Sequence, residues 1–198
     1  DLLAVVLILS CLIFSVACFR DVIIIHGLLN KVANYEILAQ RIRNAHQGTN
    51  VTIVPLFQEL ESVTALWYQL PVWVKAVEAL SDPATHPDGV NIICFSQGNI
   101  ICRGVLQMTK HNIHTYLSMA GPHLGQYGDT MFLKWLFPNL LKEEAYRILY
   151  TPDGQEFSVG NFWNDPFQQS LYLKGNIFLP IMNIQVKDTA VHSPDLMP

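Results

Sequence analysis

The chain has 198 residues, of which 51% are hydrophobic and 14% are charged, and its formal net charge is −4 at pH 7. This size and composition allow one domain with a sizeable buried core. The negative charge argues against a nucleic acid as a partner. Neither Cys-x-x-Cys nor His-Glu-x-x-His spacing occurs, which argues against a zinc site, and no cofactor is expected.

The first segment of the chain is strongly apolar. Leu2 to Val16 has about the length of the hydrophobic region of a secretory signal peptide and is shorter than the ~20 residues that span a bilayer. Residues 1–17 are therefore predicted to be a signal peptide, incomplete at its N-terminus and cleaved before Cys18. A retained membrane anchor and a lipid-modified Cys18 are the alternatives. After cleavage, no stable membrane span is expected.

The remaining residues, 18–198, are predicted to form a single domain in which strands and helices alternate. Asp21–Ile25 is a continuous β-branched run, typical of a strand that is covered on both faces. A helix follows, with Ile37, Leu38 and Ile42 predicted to face inward. The further predicted elements are strand 51–55, helix 66–80 with a kink at Pro71, a strand that ends before Ser96, a helix after it, and strand 114–119. In the helix after Ser96, the residues predicted to be buried are Ile101, Val105 and Met108. This alternation predicts an α/β fold with a mostly parallel sheet.

The segment Val90–Gly104 contains the strongest local motif. An apolar run of strand length stops at Ser96, Gly98 follows two residues later, and a helical pattern begins at once. A sharp strand-to-helix turn of this kind presents the serine of a nucleophile elbow, Gly-x-Ser-x-Gly. Cys94 occupies the first glycine position, so the motif is only a half match.

Cysteine pairing has two interpretations from the sequence alone. Cys94 closes the predicted strand and Cys102 lies in the first turns of the next helix, so a disulfide across the turn is geometrically reasonable. Two buried free thiols are an equally good interpretation. Asn50-Val51-Thr52 is a glycosylation sequon, which agrees with a secretory route.

A strand that runs into His26-Gly27 is the second hydrolase-like feature. In serine hydrolases with an α/β fold, such a loop supplies one backbone N–H of the oxyanion hole, and the residue after the nucleophile supplies the other. The candidate donors are the main-chain amides of Leu28 and Gln97.

Several further segments belong to one recognisable set: Ile25-His26-Gly27, Cys94-Phe95-Ser96-Gln97-Gly98, Gly121-Pro122, Gly125-Gln126-Tyr127-Gly128-Asp129, Lys134-Trp135-Leu136-Phe137-Pro138 and Gly154-Gln155-Glu156-Phe157. Together they resemble the palmitoyl-protein thioesterases over roughly residues 21–179. Asn99 departs from the family pattern, in which a second glycine usually stands at this position.

The resemblance implies an α/β-hydrolase fold, incomplete at the C-terminus of this chain. It also implies hydrolysis of long-chain acyl thioesters in the lysosome lumen, with an extracellular location as the alternative. Ser96 would be the nucleophile, with the amides of Leu28 and Gln97 as the oxyanion donors. The elbow cysteines are bridged in this family, which favours the Cys94–Cys102 disulfide.

The fold requires an Asp and then a His on strand ends beyond the serine, and neither is evident in this chain. Asp188 and His192 are late enough, but four residues cannot hold two strand ends with a helix between them. The chain as written is therefore expected to hydrolyse thioesters very poorly. A noncatalytic acyl-binding form and a lipase or carboxylesterase are the alternative functions.

Residues 131–179 are predicted to form a cap-like insertion. Its aromatic residues either wall an acyl groove or pack the insertion together; they are Phe132, Trp135, Phe137, Phe157, Phe162, Trp163 and Phe167. A long-chain acyl thioester is the expected substrate, and the sequence leaves open whether its carrier is a protein or coenzyme A.

Overall fold

The computed structural model of the chain describes residues 19–186. The predicted signal peptide at 1–17, Cys18, Asp188 and His192 lie outside this range. The signal peptide and the domain bounds at 18–198 and 131–179 therefore stay predictions.

A four-stranded parallel sheet forms the centre of the fold. Its strands are β1 (Val22–Ile25), β2 (Val51–Ile53), β3 (Val90–Phe95) and β4 (Ile113–Met119), in the order β2-β1-β3-β4. Every pairing is parallel, and Ile24 lies opposite both Ile53 and Ile93. All four residues of β1 are buried, as the β-branched run predicts for a central strand. The predicted α/β class with a parallel sheet is confirmed.

Helices cover both faces of the sheet. On one face, α1 (Glu36–Ala45) packs near Val22, Ile24 and Ile53. On the other face lie α2 (Leu66–Leu80) and α3 (Gln97–Met108). The apolar spacing of α2 correctly predicts its buried face, because its apolar residues Leu66, Leu70, Trp73 and Val77 are all fully buried. The helix continues through Pro71.

Two details of the helix faces differ from the prediction. Ile37 is 72% exposed, since Ala39 of α1 and Tyr35, the residue just before α1, face the sheet, while Leu38 and Ile42 are half-buried. Met108, predicted to be buried, is 42% exposed because it is the last residue of α3. Apolar periodicity located each helix but not the exact edge of its buried face.

Short helices follow β4 in the described part of the chain: α4 (Met131–Leu136), α5 (Tyr146–Leu149), α6 (Pro152–Gln155), α7 (Ser158–Phe162), α8 (Gln169–Gly175) and α9 (Leu179–Met182). Leu133, Leu149, Phe162 and Trp163 from this region belong to the same hydrophobic cluster as α2 and α3. These helices therefore fold onto the central core. No helix within residues 19–186 is long and apolar enough to cross a membrane.

Candidate active site

Ser96 lies at the turn between β3 and α3 and is exposed. Its backbone has φ +48° and ψ −122°, a conformation that L-residues rarely adopt and that is found disproportionately at functional sites. The Ser96 N–H donates to Met119 O at 2.9 Å, which ties the turn to β4. The strand-turn-helix geometry expected from the sequence is thus present.

The elbow and the His26-Gly27 loop are in direct contact. A Cβ on Gly98 would lie 2.6 Å from His26 O and 2.8 Å from Ile25 O. A Cβ on Gly27 would lie 3.0 Å from the Cβ of Ser96. Gly98 is required because a larger residue would meet two backbone oxygens, and a side chain at Gly27 would be in tight contact with Ser96.

A disulfide joins Cys94 of β3 to Cys102 of α3, with 6.6 Å between the two Cα atoms. Both residues are fully buried. The pairing that the family resemblance implied is confirmed, and the free-thiol interpretation is not. The residue at the first glycine position of the motif thus fastens the strand to the helix.

Beside Ser96, the main-chain amides of Leu28 and Gln97 lack an acceptor within residues 19–186, as does the amide of Gly98 in the first turn of α3. Their neighbours in the loop are all engaged. The Gly27, Leu29 and Asn30 amides donate to Tyr35 Oη, Ser62 Oγ and Gly27 O at 3.2, 2.7 and 3.3 Å. Two free donors at this place are what an oxyanion hole requires.

Two buried amide side chains support the elbow, a role that the serine motif does not predict. Gln97 Nε2 donates to Ser62 O at 2.8 Å. Asn99 Nδ2 donates to Ser96 O at 3.1 Å and to Met119 O at 2.9 Å. Asn99, which departs from the glycine that the family resemblance predicts at this position, therefore ties the elbow to β4. The signal for this role in the sequence was a polar residue, Asn99, in the first turn of a helix that packs against the sheet.

No His or carboxylate within residues 19–186 forms a hydrogen bond with Ser96 Oγ. His26 is buried, and its ring nitrogens lie 2.9 Å from Gly27 O and 2.8 Å from Leu56 O. His123 Nε2 lies 2.8 Å from Ser118 Oγ. Burial and the nearby Arg103 cation lower the pKa of His123 below its usual value. The described residues do not identify a general base for Ser96.

The cavity beside the short helices after β4 does not correspond to the predicted acyl groove. This cavity of about 630 Å³ lies among α5, α6 and α8, lined in part by Tyr146, Tyr150 and Leu171. Neither Ser96 nor any of the seven aromatic residues of the predicted groove lines it. Phe162 and Trp163 are buried in the core, so for these two residues the packing interpretation holds. In the described part of the chain, no group of three His, Cys, Asp or Glu residues is arranged to hold a metal ion.

The parallel sheet and the strained serine turn between β3 and α3 are features of the α/β-hydrolase class. Residues 21–193 match the family model for palmitoyl protein thioesterase, and the chain belongs to that family.

The chain is 42% identical over 166 residues to lysosomal thioesterase PPT2 of Rattus norvegicus, covering 83% of this chain and 54% of that protein. It is 35% identical over 185 residues to the lysosomal thioesterase PPT2 homolog of Drosophila melanogaster, covering 92% of this chain and 63% of that protein. A lipase-esterase related protein from Clostridium acetobutylicum aligns with a TM-score of 0.49 and 13% identity, over 84% of this chain and 70% of that one. The chain spans about half the length of the mammalian relatives it matches.

Proposed function

We propose that the protein is a serine thioesterase that hydrolyses long-chain acyl thioesters, such as palmitoyl thioesters, through an acyl-serine intermediate. The observation that carries the proposal is the strained backbone of Ser96 beside the amides of Leu28 and Gln97, which have no acceptor within residues 19–186. Membership of the palmitoyl protein thioesterase family supports thioester chemistry in particular.

The proposed reaction begins when Ser96 Oγ attacks the thioester carbonyl carbon while a histidine base takes the hydroxyl proton. The carbonyl oxygen becomes an oxyanion, which accepts hydrogen bonds from the Leu28 and Gln97 amides. Collapse of this intermediate breaks the C–S bond and releases the thiol, which receives the proton from the histidine. Water then attacks the acyl-serine, and the fatty acid leaves with Ser96 restored.

The test of the nucleophile is labelling with a serine-reactive fluorophosphonate. Replacement of Ser96 with alanine should abolish labelling, whereas Ser170→Ala, which changes an exposed serine of α8, should leave it intact. Labelling that persists in Ser96→Ala would refute the assignment.

The general base is tested separately with His192→Ala. The spacing of Asp188 and His192 argues against a catalytic pair, so the labelling rate should not change. A loss of labelling of tenfold or more would identify His192 as the base, since general-base catalysis contributes ~10²–10⁴-fold.

Two other functions make different predictions for the same protein. A lipase or carboxylesterase would hydrolyse oxygen esters at least as fast as thioesters of equal acyl length. A noncatalytic acyl-binding protein would bind a long-chain acyl ligand but never transfer the acyl group to Ser96. Comparison of matched palmitoyl thioester and oxygen-ester substrates, with detection of the acyl-enzyme by intact mass, separates the three. The same assay with palmitoyl-peptide and palmitoyl-coenzyme A shows which carrier is preferred.

We also propose a lysosomal lumenal location, reached through the secretory pathway. The names of the relatives as lysosomal thioesterases support it, and so does the Cys94–Cys102 disulfide, since disulfides persist in oxidising compartments. Asn50 is exposed at the start of the edge strand β2 and is the proposed glycosylation site. Secretory-pathway material should lose one glycan in both Asn50→Gln and Thr52→Ala; an unglycosylated wild type would contradict this.

A further inference from the structure

Leu29, the residue after the predicted oxyanion donor Leu28, has a strained backbone. Its φ is +58°, in the left-handed region that a branched residue seldom occupies. Such a conformation persists only where the surrounding structure holds it. The Leu29 N–H donates to Ser62 Oγ at 2.7 Å, so Ser62 is a direct restraint on this residue.

Ser62 is 1% exposed and lies in the 3₁₀ helix Glu59–Val63. Its hydroxyl accepts from Leu29 N–H and donates to Glu59 O, so both functions of the hydroxyl are used. A buried hydroxyl placed in this way has a defined orientation, because any rotation would leave one partner unsatisfied.

The carbonyl oxygen of Ser62 is also a hydrogen-bond acceptor for several side chains. It accepts three side-chain hydrogen bonds, from Gln69 Nε2 at 3.0 Å, Gln97 Nε2 at 2.8 Å and Ser158 Oγ at 3.0 Å. Gln97 is the residue that carries the other predicted oxyanion amide. One buried residue therefore contacts both parts of the predicted oxyanion hole, through Leu29 on one side and Gln97 on the other.

We propose that Ser62 is a positioning residue that sets the relative placement of the Leu28 and Gln97 amides. It does not touch the substrate. Its hydroxyl fixes the Leu28–Leu29 peptide at the N–H, while Asn30 Nδ2 holds the carbonyl of the same peptide at 3.1 Å. An oxyanion hole depends on donors that are already aligned before charge develops, so this restraint acts on the transition state more than on substrate binding. The inference rests on the proposed function of Ser96.

Ser62→Ala removes the hydroxyl acceptor of Leu29 and keeps the Ser62 carbonyl. Ser158→Ala is the matched control, because it deletes another buried serine hydroxyl that bonds the Ser62 carbonyl but makes no contact with Leu29. Each full-chain variant is measured with two ligands. A long-chain alkyl trifluoromethyl ketone forms a tetrahedral oxyanion on a nucleophilic serine, and the matching thioether binds without reacting. Amide hydrogen exchange at Leu28 to Asn30 is measured in parallel.

Ser62→Ala should weaken affinity for the ketone at least about tenfold, since complete loss of one oxyanion donor costs ~10²–10³-fold. It should leave thioether affinity unchanged and speed exchange of the Leu29 amide. Ser158→Ala should do none of these. Equal weakening of both ligands in Ser62→Ala, or the same ketone loss in both variants, would overturn the proposal.

Two further provisions cover a variant that does not fold and a wild type that does not react with the ketone. If Ser62→Ala does not fold, Ser62→Cys replaces the oxygen with a sulfur, a weaker acceptor of similar shape, and is judged by the same comparison. If the wild type forms no ketone adduct, the proposed function of Ser96 fails. The role of Ser62 is then tested by amide hydrogen exchange alone. Equal exchange rates of the Leu29 amide in Ser62→Ala and Ser158→Ala would show that Ser62 does not restrain Leu29.

Discussion

The roles of Ser96, Leu29 and Asn99 depend on their backbone conformation and hydrogen-bond partners more than on their residue type. Ser96 has a strained backbone with φ +48°, and Leu29, with φ +58°, follows the Leu28 amide, which has no acceptor within residues 19–186. Asn99 stands where a second glycine would leave room, and its side chain instead bonds two carbonyl oxygens. Buried amides of this kind stabilise a turn only while each bond is kept, because an unsatisfied buried group costs ~1–3 kcal/mol.

His123 gives a prediction about pH. Its pKa lies below the ordinary value of 6.5, first because of burial and second because of Arg103. As the pH falls from about 6.5 through the lower pKa of the folded state, the unfolded chain binds more protons at this residue than the folded chain does, and the free energy of unfolding decreases. Well above that pH, His123 is neutral in both the folded and the unfolded state, so it does not make the free energy of unfolding depend on pH.

Thermal unfolding at about pH 7.5 and about pH 5 measures this contribution. His123→Gln should lose less stability between the two conditions than the wild type does, and His111→Gln, which changes an exposed histidine, should behave like the wild type. An identical pH response in His123→Gln and the wild type would contradict the prediction.

At the level of elements, β3, the elbow and α3 act as one unit. The disulfide fastens the strand to the helix, and close contact with the end of β1 and the His26-Gly27 loop leaves no room for a side chain at Gly98. Gly104, six residues further along α3, also has a close neighbour, since a Cβ there would lie 2.6 Å from both Leu70 Cδ atoms. However, its neighbour is the flexible end of Leu70 rather than backbone.

The two glycines therefore predict different costs for the same substitution. Gly98→Ala should lower the free energy of unfolding by at least ~2–3 kcal/mol, because a methyl group would meet two fixed carbonyl oxygens. Gly104→Ala should stay within ~1 kcal/mol of the wild type, since better helix propensity offsets a shift of Leu70. Chemical denaturation measures both. Equal destabilisation by the two variants would mean that the packing around Gly98 is not rigid.

At the level of the whole molecule, the order β2-β1-β3-β4 puts β2 and β4 at the edges of the described sheet. Leu117 and Met119 of β4 are 50% and 39% exposed. An apolar edge strand can pair with another chain, which makes it a site of self-association.

We expect the 198-residue chain to self-associate through β4 as its concentration rises. Leu117→Lys should reduce this association without lowering the melting temperature, because a charge on an edge strand opposes pairing between chains. Leu141→Lys, which changes a leucine that is 64% exposed in a loop before α5, is the control. Sedimentation velocity gives the result, and equal association in both variants would place the contact elsewhere.

Much of the fold was predictable because its signals are local. The β-branched run of β1 and the apolar spacing of α2 each lie within one short stretch, so period and residue type revealed them. The half-matched serine motif was weak alone, but the additional shared segments identified the family that residues 21–193 confirm. The exposed side of Ile37 was missed because the exact rotation of a helix depends on what it packs against.

The sequence by itself determined the parallel α/β class, the family, and the position of Ser96 relative to its glycine. Tertiary structure alone decided which groups surround that serine. Leu29 N–H finds Ser62 across 33 residues of chain, and the Ser62 carbonyl collects donors from 7, 35 and 96 residues away. A hydrogen bond between groups so far apart leaves no periodic pattern or spacing in the sequence. It exists only because packing of the core brings these segments together and excludes the water that would otherwise satisfy them.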